Sequence, residues 1–136
     1  MQRLVPVVLP PMRRLVVVLL SLMLASCLDS RDRLEPPRIY LRLDPTTVAP
    51  GGQISGVVSA ADAGAIVYIR AQLVAEGDTA RPLSRFAGDI QQDTVDYEFS
   101  FTIPSRLTRG TRLFITGTVR DDQNFEVTTA DTVNIR

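Results

Sequence analysis

The residues of this 136-residue chain best suited to chemistry are oxygen donors in polar turns. Asp62, Asp121, Asp122 and Asn124 carry carboxylate and amide oxygens of the kind that suit Ca²⁺. Their spacing is not that of an EF-hand, and Asx-rich turns are also ordinary turn chemistry. The acid pairs Asp93/Asp96 and Asp121/Asp122 have the residue types for glycosidase work. A small domain without Trp, however, offers little cleft for a sugar. His is absent, which removes the commonest acid–base group and the commonest metal ligand. All 15 basic residues are Arg, so Schiff-base lysine chemistry is excluded. No Gly-rich phosphate loop occurs. Ser105-Arg106-Leu107-Thr108-Arg109-Gly110, with Arg112 close by, could hold an anion or an acidic partner, or form a solvated loop. Nothing in this inventory assembles a catalytic set, and the expectation is a protein that is not an enzyme and needs no cofactor.

The single Cys, Cys27, cannot form an internal disulfide. Its context is specific. Arg13 and Arg14 precede the apolar run 15–24, and the small residues Ala25 and Ser26 follow it. A basic stretch, a short apolar stretch and a small-residue cleavage site are the parts of a secretory signal. The run is shorter than the roughly 20 apolar residues of a transmembrane helix. Met12-Arg13-Arg14 and the run form a complete signal by themselves, so Met12 is a second candidate start. Leu24-Ala25-Ser26-Cys27 resembles the lipobox of bacterial lipoproteins. That resemblance implies cleavage between Ser26 and Cys27, a diacylglyceryl thioether on Cys27 and usually acylation of the new amino terminus. Each buried methylene would contribute about 0.8 kcal/mol to anchoring. Leu28 after the Cys implies the outer membrane if the cell is Gram-negative; otherwise the anchor lies on the outer face of the cytoplasmic membrane.

Removing residues 1–26 leaves 110 residues, enough for one domain with a modest core. Without Arg3, Arg13 and Arg14 the 15 Arg become 12 against 15 acids, a charge of about −3. That balance argues against nucleic acid and against electrostatic attachment to anionic lipid. Residues 27–37 read as the lipidated Cys and a charged tether ending in Pro36-Pro37, with a reach of roughly 35 Å at most.

From residue 38 to residue 136, period-2 alternation dominates. Val95, Tyr97, Phe99, Phe101 and Ile103 alternate with polar residues, as do Leu113, Ile115, Gly117 and Val119. Ile39, Leu41 and Leu43 form a third run; Ile54, Gly56, Val58 and Ala60 a fourth. Residues 65–74 are apolar on both faces for part of their length, as in a central strand, with Val67, Ile69, Ala71 and Leu73 taken as inward. Residues 82–90 hold a weaker strand. Phe125, Val127, Val133 and Ile135 belong to the last strand region, with a bulge expected near 129–132. Turns fall at Asp44-Pro45, Pro50-Gly51-Gly52, Asp62-Ala63-Gly64, Glu76-Gly77-Asp78, Gly88-Asp89, Thr108-Arg109-Gly110 and Asp121–Asn124. About seven short strands and no helix predict an all-β fold, a single antiparallel β-sandwich.

The segments Val48–Ile54, Asp62-Ala63-Gly64 and Val119–Asn124 resemble those of bacterial immunoglobulin-like and fibronectin-III-like domains, with Gln123 where a Gly is usual. In that topology two loops meet at one end. The resemblance therefore implies that Asp62, Asp121, Asp122 and Asn124 converge, where the tether also enters. The Arg106–Arg112 end then points away from the membrane. If Leu113 and Ile115 face inward, Phe114 faces out with Ile66 and Tyr68, forming a small apolar patch suited to an envelope protein partner. Three roles follow as expectations: a partner-binding or structural lipoprotein, a Ca²⁺ or small-ligand accessory domain, and a passive spacer.

Overall fold

The computed structural model describes residues 35–136; Cys27, the expected cleavage site, Met12 and most of the expected tether lie outside them. Six strands follow in chain order: β1 (Arg38–Asp44), β2 (Thr47–Val48), β3 (Gln53–Ala75), β4 (Asp78–Thr102), β5 (Arg112–Asp121) and β6 (Glu126–Ile135). The described residues contain no helix, so none is long and apolar enough to cross a membrane.

One continuous curled sheet holds all six, in the order β1-β3-β5-β6-β2 with β4 also on β3. It is mixed: β2 runs parallel to β6, and the other pairs are antiparallel. The count and the parallel pair both differ from about seven antiparallel strands. The difference arises because β3 and β4 form one hairpin of 23- and 25-residue strands. The first half of β3 pairs with β1, from Arg38↔Ala61 to Asp44↔Ser55. Its second half pairs with β5, from Ile66↔Asp121 to Ala75↔Leu113. β4 follows β3 throughout.

Asp62-Ala63-Gly64 and Gly88-Asp89, expected as turns, lie within strands where the ladder shifts register. The chain bends there without ending the strand, because a bulge can supply the turn while most of the ladder persists. On β4 the bend carries Asp89 at φ 56°. True turns fall at three expected glycines. Gly77, at φ 79°, joins β3 to β4. The Gly52 N–H donates to the Ala49 carbonyl at 2.9 Å, with Pro50 and Gly51 (φ 78°) between, the signature of a type II turn. Gly110, at φ 86°, precedes β5.

The core is the inward set of each alternating run. Ile54 and Val58 from the first half of β3 join Ile69, Ala71 and Leu73 from the second. Phe99 and Phe101 of β4, Leu113, Ile115 and Val119 of β5, and Val133 and Ile135 of β6 pack with them, as do Leu41, Val48, Ala60, Ile66, Ala75 and Ile103. The curl brings β1 and the first half of β3 over β5. A Cβ on Gly117 would lie 3.0 Å from a Val58 methyl and 3.7 Å from Ile39 Cδ1. Gly117 therefore lets two parts of the sheet approach closely.

The bulge expected near 129–132 is absent. β5 and β6 stay in register from Arg112↔Asn134 to Arg120↔Glu126. Asp131 keeps the parity of the inward residues but is exposed, on the part of β6 that pairs with β5 alone because β2 reaches only Asn134 and Ile135.

Candidate functional site

The four Asx residues divide into two arrangements. Asp62 and Asp122 meet over Gly64. A Cβ there would lie 2.9 Å from Asp122 Oδ1 and 3.0 Å from Asp62 Oδ2. Asp62 Oδ2 also accepts the Gly64 N–H at 2.8 Å, and the Asp122 N–H donates to the Ala65 carbonyl at 2.9 Å. Asp121 and Asn124 instead build the β5–β6 turn. Asp121 is buried, and its Oδ1 accepts the N–H groups of Gln123 (2.9 Å) and Phe125 (2.8 Å). Asn124 takes φ 67°, a left-handed conformation that Asn tolerates. Asp62 and Asp122 are thus brought together, while Asp121 and Asn124 hold the adjoining turn; Glu35, Pro36 and Arg38 line a hollow with Asp62 and Asp93. Among the described residues no three His, Cys, Asp or Glu side chains are grouped to hold a metal ion.

At the opposite end two of the three arginines, Arg106 and Arg112, are committed. Arg106 Nη2 lies 2.7 Å from Asp78 Oδ2, and Arg112 donates to Glu76 at 2.6 and 3.2 Å. The Arg112 guanidinium holds the Glu76 carboxyl below its ordinary value, and Glu76 in turn raises Arg112.

The patch expected from Ile66, Tyr68 and Phe114 needs one correction. Ile66 is fully buried in the core. Residues two apart on a regular strand share a face, but β3 has a bulge here: Ile66 pairs with Asp121 and Tyr68 with Arg120, so Val67 is an extra residue. Ile66 therefore turns inward while Tyr68 stays out. Phe86 of β4 takes its place outside, 68% exposed, its ring 6.2 Å from that of Tyr68 and 30° from parallel. Phe114, on the same face, is 39% exposed.

Cross-strand pairing lays out the rest of this face. One row runs Gly88, Tyr68, Arg120, Glu126; the next runs Phe86, Arg70, Thr118, Thr128. The third runs Ser84, Gln72, Thr116, Ala130. Arg120 lies over the Tyr68 ring at 5.2 Å, and Arg112 over Phe114 at 5.8 Å. Thr118 and Thr128 share a hydrogen bond of 3.0 Å, with Thr118 buried. Phe86 and Arg70 escaped the sequence reading because residues 82–90 alternate weakly. A regular hairpin about Glu76-Gly77 would not have placed them, because the ladder shifts register between Leu73 and Ala75 before Phe86 comes opposite Arg70.

The outer face formed by β1, the first half of β3 and the second half of β4 is polar. Ser59 donates to Asp96 at 2.6 Å, and Tyr40, Arg42, Asp96 and Glu98 line a shallow hollow. A larger groove, about 700 Å³, crosses the same strands beside Gly56 and Phe99. It contains the carboxylates Asp44 and Glu98 and the guanidinium of Arg42, with no nucleophile–base pair.

No protein-family model matches the chain, and no curated protein matches it either. Solved structures do. The sporulation control protein Spo0M of Bacillus subtilis aligns over 76% of this chain with a TM-score of 0.53 and 15% identity. The chain spans about half the length of that protein, 50%. A Niemann-Pick type C2 protein from the Japanese carpenter ant aligns over 75% of this chain and 94% of its own, with a TM-score of 0.48 and 12% identity. The CARDB domain of a Pyrococcus furiosus protein, solved with two metal ions, covers 75% of this chain and 90% of its own at a TM-score of 0.43 and 15% identity. The likeness to Spo0M is one of β-fold.

Proposed function

We propose that this chain is a non-catalytic, lipid-anchored protein of the bacterial envelope, whose domain docks a protein partner through the Tyr68/Phe86/Phe114 face. The lipobox-like Leu24-Ala25-Ser26-Cys27 supports the anchor. The close approach of Val58 and Ile39 to Gly117 supports an immunoglobulin-like sandwich. Its one layer is β1 with the first half of β3 and the second half of β4; the other strand segments form the second layer.

The observation that carries docking is the exposed aromatic face itself. Phe86 and Phe114 remain in water although the core behind them is complete. Tyr, Phe and Arg are the residues enriched where proteins meet, and they supply most of the energy there. Burying Phe86 fully would contribute roughly 2 kcal/mol on association.

Two measurements test this reading. Intact mass of membrane-extracted protein should match residues 27–136 plus acyl chains, and that species should be missing from Cys27→Ala. Crosslinking in intact cells should yield one defined adduct that disappears in a Phe86→Glu/Phe114→Glu double variant. An unmodified mass refutes the anchor, and an adduct indifferent to the double variant refutes the face.

A further inference from the structure

Arg70 and Arg120 are the cations of the docking face that lack an ion pair among the described residues. They belong to adjacent strands, where Tyr68 pairs with Arg120 and Arg70 with Thr118. That makes them diagonal neighbours on one side of the sheet, with Cβ atoms about 7 Å apart, within reach of long side chains. Unlike Arg106 and Arg112, neither has a carboxylate at salt-bridge distance among the described residues. Glu126 is the register partner of Arg120 and makes no bond to it. The Nε atoms of both arginines are buried and without an acceptor. The Arg120 guanidinium lies over the Tyr68 ring, and this cation–π contact favours one orientation of it. A guanidinium held in this way loses less freedom on meeting an anion.

We propose that Arg70 and Arg120 form a recognition pair for carboxylate side chains of an acidic segment in the docked partner. The proposal rests on the docking reading above and names the chemistry of its partner. Charge complementarity selects an acidic occupant: two neighbouring guanidinium groups repel each other until an anion lies between them, and planar carboxylates match their paired donors. Phe86 and the Tyr68 ring stacked with it, in the rows of the two arginines, select a polypeptide over a simple ion. A peptide brings apolar side chains to cover those rings, and inorganic phosphate does not. Thr128 and Gln72 add neutral donors beside the pair.

The test follows the Nε–H signals of the arginines by NMR in full-length protein held in detergent micelles. The probes are tetraglutamate, tetralysine and inorganic phosphate, at matched ionic strength. Tetraglutamate should produce saturable shifts at Arg70 and Arg120, with Arg112 unmoved and tetralysine silent. Arg70→Gln and Arg120→Gln should each abolish the saturation while leaving the core amide spectrum intact. Uniform, unsaturated shifts, or saturation by phosphate alone, overturn the proposal. The cell crosslink separates this from the docking reading. An adduct lost in Phe86→Glu/Phe114→Glu but kept in Arg70→Gln/Arg120→Gln leaves docking standing and removes the carboxylate pair. Loss in both variants, with the peptide titration positive, supports both.

Discussion

Asp121 offers a discriminating perturbation because its two carboxyl oxygens have different surroundings. Oδ1 accepts two backbone N–H groups, from Gln123 and Phe125, and holds the β5–β6 turn closed. Oδ2 is buried with no hydrogen-bond partner. Asp121→Ala removes the acceptor from both N–H groups. Each donor left unpaired costs about 1–3 kcal/mol, and water entering at an exposed turn offsets part of that, giving about 2–4 kcal/mol in total. That is a large share of the roughly 5–15 kcal/mol that a domain possesses. With about 4–8 °C per kcal/mol for a domain of this size, the melting temperature should fall by at least about 8 °C. Asp121→Asn should differ sharply. Its amide oxygen keeps both turn hydrogen bonds, and its NH₂ replaces an oxygen that bonds to nothing. The expected change is within about 1 kcal/mol of the parent. Urea denaturation at pH 7, read by intrinsic fluorescence and circular dichroism, measures both changes if the slopes stay equal. Equal loss in Ala and Asn variants would refute the reasoning, because Oδ2 would then hold a bond essential to the turn.

Other expectations follow from the same contacts. Gly56→Ala should cost about 1–3 kcal/mol in denaturant midpoint, since the new Cβ would lie 2.7 Å from the Arg42 carbonyl oxygen and 2.5 Å from Phe99 Cζ, and backbone cannot step aside. Gly64→Ala should cost less than about 1 kcal/mol, because the atoms it meets are carboxylate tips and Asp122 is exposed. Glu76 has its pKa lowered from 4.5 by Arg112, so the native state holds the ionised form. Whatever stability this pair adds is present above that value and lost as pH falls through the folded pKa; a Glu76→Gln variant should show less acid sensitivity in that window, followed by thermal melts. Ca²⁺ should leave the melting temperature where a chelator does, and a reproducible rise would establish binding to the native state at the Asp62/Asp122 turn.

Much of the fold was legible in the chain. The inward residues Leu41, Ile54, Val58, Phe99, Phe101, Leu113, Ile115 and Val133 follow from alternation alone, because a half-buried strand leaves period 2 in its sequence. Two features were hidden. Asp62-Ala63-Gly64 has turn composition, yet the ladder continues around it, and local chemistry cannot distinguish a bend within a strand from a strand's end. A bulge at Val67 also inverts parity for everything before it, which sent Ile66 to the wrong face. The Asx cluster was legible only through the fold resemblance, since 59 positions separate Asp62 from Asp121. Arg70 and Phe86 were not legible as a unit, because register between β3 and β4 brings them together and no spacing within either strand does.

The contrast between the two outer faces bears on function. On the strands of β1 and the halves of β3 and β4 beside it, Ser59, Asp96 and Glu98 meet water with their polar groups, as an ordinary surface does. On the other side, β3, β4 and β5 expose Phe86 and Phe114 and carry two guanidinium groups with no carboxylate at salt-bridge distance among the described residues. Stability does not require this, since Ser or Thr at positions 86 and 114 would suit the strands as well. Neither does solubility, which exposed Phe works against. Phe86 lies in the row of Arg70, next to the row of Tyr68 and Arg120, whereas the opposite face exposes a single large ring, Tyr40. A surface selected merely to space a domain from a membrane has no reason to concentrate both features in adjacent rows. A surface that binds does, because desolvated aromatic contact supplies affinity while the arginine pair selects which acidic segment is allowed to settle on it.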